Sequence, residues 1–258
     1  MIFRTSDGPR ILLAATPIFR EWKRRCLGDV LVETYHPEIL AENDCVDFAG
    51  REVTDCSESV IDFDMVEWWE RPRPVTETYA VYALRDIRLG SWRTEMYPNE
   101  ELERASWQIG AIGGNAALVG AGVSDDVCEI LNRMGYNTMS LNGIPMMEIA
   151  ALAHAANLYV GLEGDEASVV LTSDIPAVVL HSWMSPEFFK PFRRGIPYKV
   201  VRIRETVCKD ALFCSEKGIR AELGKVYGPR CTHDREMCCL GSHTMEDIEK
   251  ALRGVVGV

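Results

Sequence analysis

Residues able to do chemistry fall in four places along the chain. Near the start, Thr5-Ser6-Asp7-Gly8-Pro9-Arg10 sets a carboxylate and a guanidinium on one turn that leads into a helix. Asp7 could take a proton from a hydroxyl, whereas Arg10 cannot be a base at neutral pH and suits an anion instead. The plain alternative for Asp7 is a turn residue bonded to its own backbone. Further on, Gly120-Ala121-Gly122 follows an apolar run and precedes Ser124-Asp125-Asp126. A glycine turn between strand and helix lets backbone N–H groups approach a phosphate, but the third glycine of the dinucleotide fingerprint is missing, and a simple tight turn is the alternative. Glu163-Gly164-Asp165-Glu166 then crowds carboxylates that would repel an anion unless a cation intervenes. Read from the residues alone, Glu163 belongs to a solvated acidic loop. His181-Ser182 follows the run Ala177–Leu180, at the end of a parallel strand where ligands collect.

The fourth place is the cysteine-rich tail. Cys208, Cys214, Cys231 and Cys238, with Cys239, His233 and His243 nearby, could hold a structural zinc or iron. Their first pair is spaced more widely than in the usual tetrahedral sites, so buried cytosolic thiols are the competing reading. Trp68-Trp69 could offer a stacking platform to a sugar, or be buried under an interdomain loop. His154 lies in an alanine-rich helix, and no Gly-x-Ser-x-Gly elbow occurs.

These groups need elements to position them, and the pattern supplies two sets of strands with helical crossovers. In the first set, Ile2–Arg4 is a strand and Ile11–Arg25 a helix that Pro17 either strains or begins. Val30–Thr34 is a second strand, His36-Pro37-Glu38 opens a short helix, and Val60–Asp62 is a third strand. In the second set, Ala116–Val119 passes through the glycine turn into a helix capped by Ser124 and ending near Gly135. Pro145–Ala156 is a helix, Leu158–Gly161 and Ala177–Leu180 are strands, and Ser185-Pro186-Glu187 caps another helix. Between the sets, Phe63–Trp107 is rich in Trp, Pro and charge and shows no clean period, which puts the domain boundary near 105–110. The acidic stretch Asp55–Glu70 reads as a solvated face.

Composition narrows the function classes. The 258 residues suit one large α/β domain or two small ones. With 28 Lys and Arg against 39 Asp and Glu, the net charge of −11 disfavours general nucleic-acid binding. No apolar run is long enough to span a bilayer, and Met1–Gly8 lacks the order of a signal peptide, so the expected compartment is the cytoplasm. An odd set of 9 cysteines in a chain of this size points to reduced thiols rather than a disulfide framework.

Read in order, Arg4–Gly8, Leu12–Pro17 and Gly28–Val32 resemble the opening of the heptosyltransferase-like glycosyltransferases, family 9 with the GT-B fold. Leu118-Val119-Gly120, Leu141-Asn142-Gly143, Glu148–Leu152, Ala155–Gly161, Ile175–Leu180 and Cys239–Ile248 are similar to that family's second domain. The resemblance implies an α/β protein of two Rossmann-like parallel-sheet domains: residues 1–107 for the acceptor, with a Trp/Pro-rich linker, and residues 108–258 for a nucleotide-sugar. It implies transfer of a sugar from a nucleoside-diphosphate sugar to the hydroxyl of a lipid-linked saccharide, a protein or a modified base, with no cofactor needed for transfer. Asp7 would be the base and Arg10 would lie near the phosphates. Thr5, Ser6 and Gly8 would face the acceptor, and Gly120, Gly122, Glu163, Gly164, Asp165, His181 and Ser182 the donor. The chain also departs from the family. Pro9-Arg10 stands where a Gly-Asp pair is usual, and Ser168 stands where a histidine is. A βα unit of roughly 30 residues is missing before Asn115. Its loss is expected to expose a sheet edge that a homodimer could cover. These departures also fit a catalytically degenerate nucleotide-binding or assembly protein.

Overall fold

The structure, a computed structural model, describes residues 1–5, 8–53, 59–66, 73–181, 186–187, 190–191, 195–202 and 243–257. The chain divides into two compact units, Met1–Asn99 with Glu187–Arg193, and Glu100–Pro186 with Arg194–Val258. The division falls ahead of the expected 107/108 because Leu102–Ile112 forms a single helix that belongs to the second unit. Among the described residues, no helix is long and apolar enough to cross a membrane.

The first unit carries strands β1 (Ile2–Thr5), β2 (Leu31–Thr34), β3 (Phe48–Gly50) and β4 (Val60–Asp62), all parallel in the order β3-β2-β1-β4. Strand β3 went unrecognised in the sequence because three residues show no usable alternation. Helix α1 (Pro9–Arg24) is buried on every side from Ile11 to Phe19, and α2 (Val75–Leu84) packs on it inside the stretch that lacked a clean period. Phe3, Phe19, Trp22, Phe63 and Tyr79 build an aromatic core between sheet and helices, with Phe63 stacked on Tyr79 at 4.3 Å.

Pro17 sits inside α1 rather than at its start, where Pro9 stands. A proline has no N–H for the carbonyl four residues back. The Thr16 hydroxyl makes good that loss by donating to the Leu13 carbonyl at 2.8 Å, and it also accepts the Glu95 amide at 3.0 Å.

The second unit holds α3 (Leu102–Ile112), β5 (Asn115–Val119), α4 (Asp125–Arg133), β6 (Tyr136–Ser140), α5 (Met146–Ala155), β7 (Leu158–Leu162), α6 (Asp165–Val170), β8 (Ala177–His181), β9 (Tyr198–Arg202) and α7 (Met245–Val256). Its five strands are parallel in the order β6-β5-β7-β8-β9. Strand β5 pairs β6 on one side and β7 on the other, so the short lead-in before Asn115 opens no edge at β5, contrary to expectation. Among the described residues, the outer strands of this sheet are β6 and β9. Ala117, Val119, Leu158, Val160, Val178 and Leu180 face α4 and α7 through Ile130, Leu131, Ile248 and Leu252 in one apolar core. The helix expected after Ser185-Pro186-Glu187 lies largely outside the described residues.

Charge fastens the segment after α2 to α1. Glu21 is only 2% exposed, and its carboxylate accepts from Arg24 at 2.8 and 2.5 Å, from Arg25 at 2.7 Å and from the Gly90 amide at 3.2 Å. Arg25 reaches Asp86 at 3.2 Å and the Arg88 carbonyl at 2.9 Å, while Arg20 pairs with Glu95 and donates to the Ser91 and Arg93 carbonyls. Residues 86–95 thus lie as a strap along α1. The Arg24 hydrogen bond, helped by Arg25 and the Gly90 amide, overcomes burial and holds the Glu21 carboxyl down at about 2. A lowered folded-state pKa stabilises the fold above the unfolded value of about 4.5 and loses that stabilisation as pH falls toward 2. Because Arg24 is exposed, solvent screening leaves the contribution at about 2 kcal/mol. Urea unfolding of Glu21→Gln should therefore be weaker by that amount at pH 7 and should show a flatter stability profile between pH 5 and 2 than the parent; parallel profiles would refute the role.

Candidate functional site

In the second unit the chain leaves β5 toward β6 and leaves β7 toward β8, so the direction of winding reverses between β5 and β7. The crevice at the carboxyl ends of two such strands is where open parallel sheets bind ligands. Two of the sequence-selected segments, Gly120–Gly122 after β5 and Glu163–Asp165 after β7, meet there, and His181 ends the next strand.

The glycine segment is a tight turn in which the Val123 amide donates to the Gly120 carbonyl at 3.3 Å, and Gly122 has φ +77°. A positive φ in the third position of a turn is where glycine is needed. Gly120 has a different reason to be glycine: a side chain there would strike the Glu166 carboxylate and come within 2.9 Å of Gly161 Cα. Both glycines surround the Tyr159 phenol, which is fully buried and lies back along its own strand over Gly161. The hydroxyl donates to Glu166 Oε1 at 3.0 Å, and Glu166 Oε2 accepts the Ala121 amide at 3.2 Å. Burial first, and the Glu166 charge second, push the Tyr159 hydroxyl well above its ordinary value, so it stays a donor. The Gly120 amide is likewise used, donating to the Val160 carbonyl at 2.8 Å. Tyr159 and Glu166 were not singled out in the sequence. The available signal was a tyrosine in a buried strand whose next same-face residue is glycine.

Glu163 does not lie in a solvated loop. Its side chain is 3% exposed and its Oε2 lies 2.9 Å from Nδ1 of His181, itself 7% exposed. The two atoms touch without the alignment of a hydrogen bond. The Glu163 amide continues the ladder to the Leu180 carbonyl at 2.9 Å, and the His181 carbonyl accepts from Nε2 of buried His243 at 3.0 Å. His243 stands just before α7, so this cluster joins the ends of β7 and β8 to the start of the last helix. Gly164 precedes α6 at φ +150°, and the Ser168 hydroxyl donates to its carbonyl at 2.9 Å. Asp165 and Glu166 occupy the first turn of α6.

In the first unit, Arg4 on β1 bridges Glu33 on β2 at 2.7 Å and Asp62 on β4 at 3.7 Å, both at matching register. The Arg4 guanidinium holds the Glu33 carboxyl below the usual carboxylate range. Thr5 is fully buried at the end of β1, Gly8 precedes α1, and Arg10 lies in a first turn that contains no acid. Ser6, Asp7, Trp68, Trp69, Ser182, Cys208, Cys214, Cys231, Cys238 and Cys239 lie outside the described residues. Cys26, Cys45 and Cys128 are free thiols. Among the described residues, no three His, Cys, Asp or Glu side chains converge as a metal site.

Removing one member of a buried polar contact leaves the other unsatisfied, which typically costs about 1 to 3 kcal/mol, whereas replacing both by apolar groups is often neutral. Glu163→Ala should therefore lower the urea midpoint strongly, and the double variant Glu163→Met/His181→Leu should recover most of the loss. A double variant as weak as the single one would contradict a pair that acts structurally.

No family profile and no curated protein sequence matches the chain. Solved structures do. A family 9 glycosyl transferase from Veillonella parvula superposes with a TM-score of 0.63 at 10% identity, over 80% of this chain and 87% of that one. The E. coli ADP-heptose LPS heptosyltransferase II gives a TM-score of 0.57 at 10% identity, over 99% and 98%. The iron-containing dodecameric glycosyltransferase TibC of enterotoxigenic E. coli gives 0.58 at 12% identity, over 80% of this chain but 62% of its own length. At these identities the likeness is one of fold: two parallel-sheet α/β units built like those of family 9, GT-B glycosyltransferases.

Proposed function

We propose that the protein is a nucleotide-sugar-dependent glycosyltransferase, with the second unit reading the donor and the first unit the acceptor. The observation that carries the reading is the β5–β7 crevice, where the Gly120–Val123 turn and the Glu163–Asp165 segment meet in a fold shared with solved glycosyltransferases. In the reaction, an acceptor hydroxyl oxygen attacks the anomeric carbon while the bond from that carbon to the diphosphate breaks. Asp7 takes the hydroxyl proton, and Arg10 with backbone amides balances the charge on the departing diphosphate. No metal is required for that step.

A second reading, a nucleotide-binding or assembly protein without turnover, is favoured by the site's own chemistry. The amides of Gly120, Ala121 and Val123 are all consumed internally, and Arg10 replaces the family's carboxylate. A dodecamer among the solved relatives supports a homo-oligomer here. A structural zinc or iron on Cys208, Cys214, Cys231 and Cys238 is part of the same proposal and rests on their clustering in the sequence.

Incubation with ADP-, UDP-, GDP- and dTDP-sugars should raise the melting temperature with one donor class, by the equivalent of about 2.7 kcal/mol at a hundredfold excess over Kd, and release sugar slowly. Asp7→Asn should abolish release and leave the thermal shift intact. A shift without release in the parent would favour the second reading in its nucleotide-binding form, and no shift with any donor would remove the nucleotide-sugar site. Elemental analysis of the purified chain should find zinc or iron, lost on Cys231→Ser; a metal-free parent would exclude the cysteine site.

A further inference from the structure

One amide of the Gly120–Val123 turn is held by a carboxylate from outside the turn, that of Glu166. Three of the four amides in the Gly120–Val123 turn are accounted for inside the protein. Gly120 donates to the Val160 carbonyl, Val123 closes the turn on the Gly120 carbonyl, and Ala121 donates to Glu166 Oε2 at 3.2 Å. The first two bonds belong to the sheet and the turn, and neither can be given up without dismantling it. The third is different, because its acceptor is a side-chain carboxylate carried on the neighbouring helix α6, an anion supplied by the chain itself. Its other oxygen is held at 3.0 Å by the hydroxyl of Tyr159, whose ring is fully buried. That grip fixes the carboxylate over the turn, and Gly120 lacks a side chain where one would collide with it.

Building on the transferase reading, we propose that Glu166 is the resident anion of a phosphate site on the Gly120–Val123 turn and sets the affinity for the donor by competing with its diphosphate. A donor phosphate and the Glu166 carboxylate need the same amide and carry the same sign of charge, so the two exclude each other. Binding then requires Glu166 to leave Ala121. Asp165 and Glu163 flank the segment and add to the repulsion, though Glu163 is engaged with His181.

The test is calorimetric titration of ADP, GDP, UDP and inorganic pyrophosphate into the parent, Glu166→Gln and Glu166→Ala. Ala121 lies in the second position of a turn that takes proline there readily, so Ala121→Pro removes the amide while preserving the turn. It is examined on the Glu166→Ala background, where the carboxylate no longer stands in the way. The expected result is weak binding by the parent, a gain of at least tenfold for one diphosphate in Glu166→Ala, a smaller gain in Glu166→Gln, and return to parental affinity when Ala121→Pro is added. Each variant is compared by its own ligand-dependent shift, because a buried Tyr159 hydroxyl without its acceptor lowers the starting stability. Equal affinity in parent and Glu166→Ala, a gain that survives Ala121→Pro, or no binding by any variant would overturn the proposal. Sugar release separates it from the transferase reading. Release by the parent with no gain in Glu166→Ala sinks the resident anion alone, and a gain with no release by any variant sinks the transferase alone.

Discussion

Direct parallel pairing of β5 with β7 is the constraint on which the second unit depends. It places two strands with opposite winding side by side, so the turn after β5 and the start of α6 must share one crevice. It also fixes what can fill the space between them. The Tyr159 ring lies there because residues 120 and 161 are both glycine, and a buried phenol needs an acceptor. Glu166 is that acceptor, and its second oxygen reaches the turn. The β5–β7 pairing, two glycines, one tyrosine and one glutamate are therefore a single packing solution, which sets a carboxylate on the crevice floor.

The first unit solves a different problem. Its central helix is buried on every side from Ile11 to Phe19 and carries a proline there and a buried carboxylate beyond, both unfavourable unless answered. The Thr16 hydroxyl answers the proline, and two arginines with a backbone amide answer Glu21. In both cases the partner is the strap at residues 86–95 or leads to it, so the polar groups inside α1 are what hold an otherwise irregular segment in place.

Much of this was legible in the sequence. The strands at 2–4, 30–34, 116–119, 158–161 and 177–180 are apolar runs bounded by glycine, proline and helix caps, and each appears within a residue or two of its expected bounds. Ser124 caps its helix as its spacing demanded, bonding the Asp126 amide at 3.2 Å. Helix α2 was missed because Val75, Thr76, Thr78, Tyr79 and Ala80 are all buried, which erases the one-sided period that marks an amphipathic helix. The solvated-loop alternative fails for Glu163 for a related reason. Charge predicts exposure only when partners are unknown, and Glu163 has His181 while Glu166 has Tyr159, both brought from elsewhere by the sheet. The pairing of β5 with β7 could not be read at all, since strand order is set by packing between distant segments that no local pattern reports.

The double duty of Thr16 ties three positions into one heritable unit. Its hydroxyl has a single proton, which goes to Leu13 because Pro17 cannot supply one, and that direction leaves its lone pairs free for the Glu95 amide. Replacing Pro17 with a residue that bears an N–H would give Leu13 a second suitor and loosen the orientation that the strap relies on. The change would improve the helix judged alone while weakening an attachment 79 residues further along the chain. Lineages drifting at position 17 would thus be expected to shift at positions 16 and 95 as well, a correlated signature that arises from the direction of one hydrogen bond.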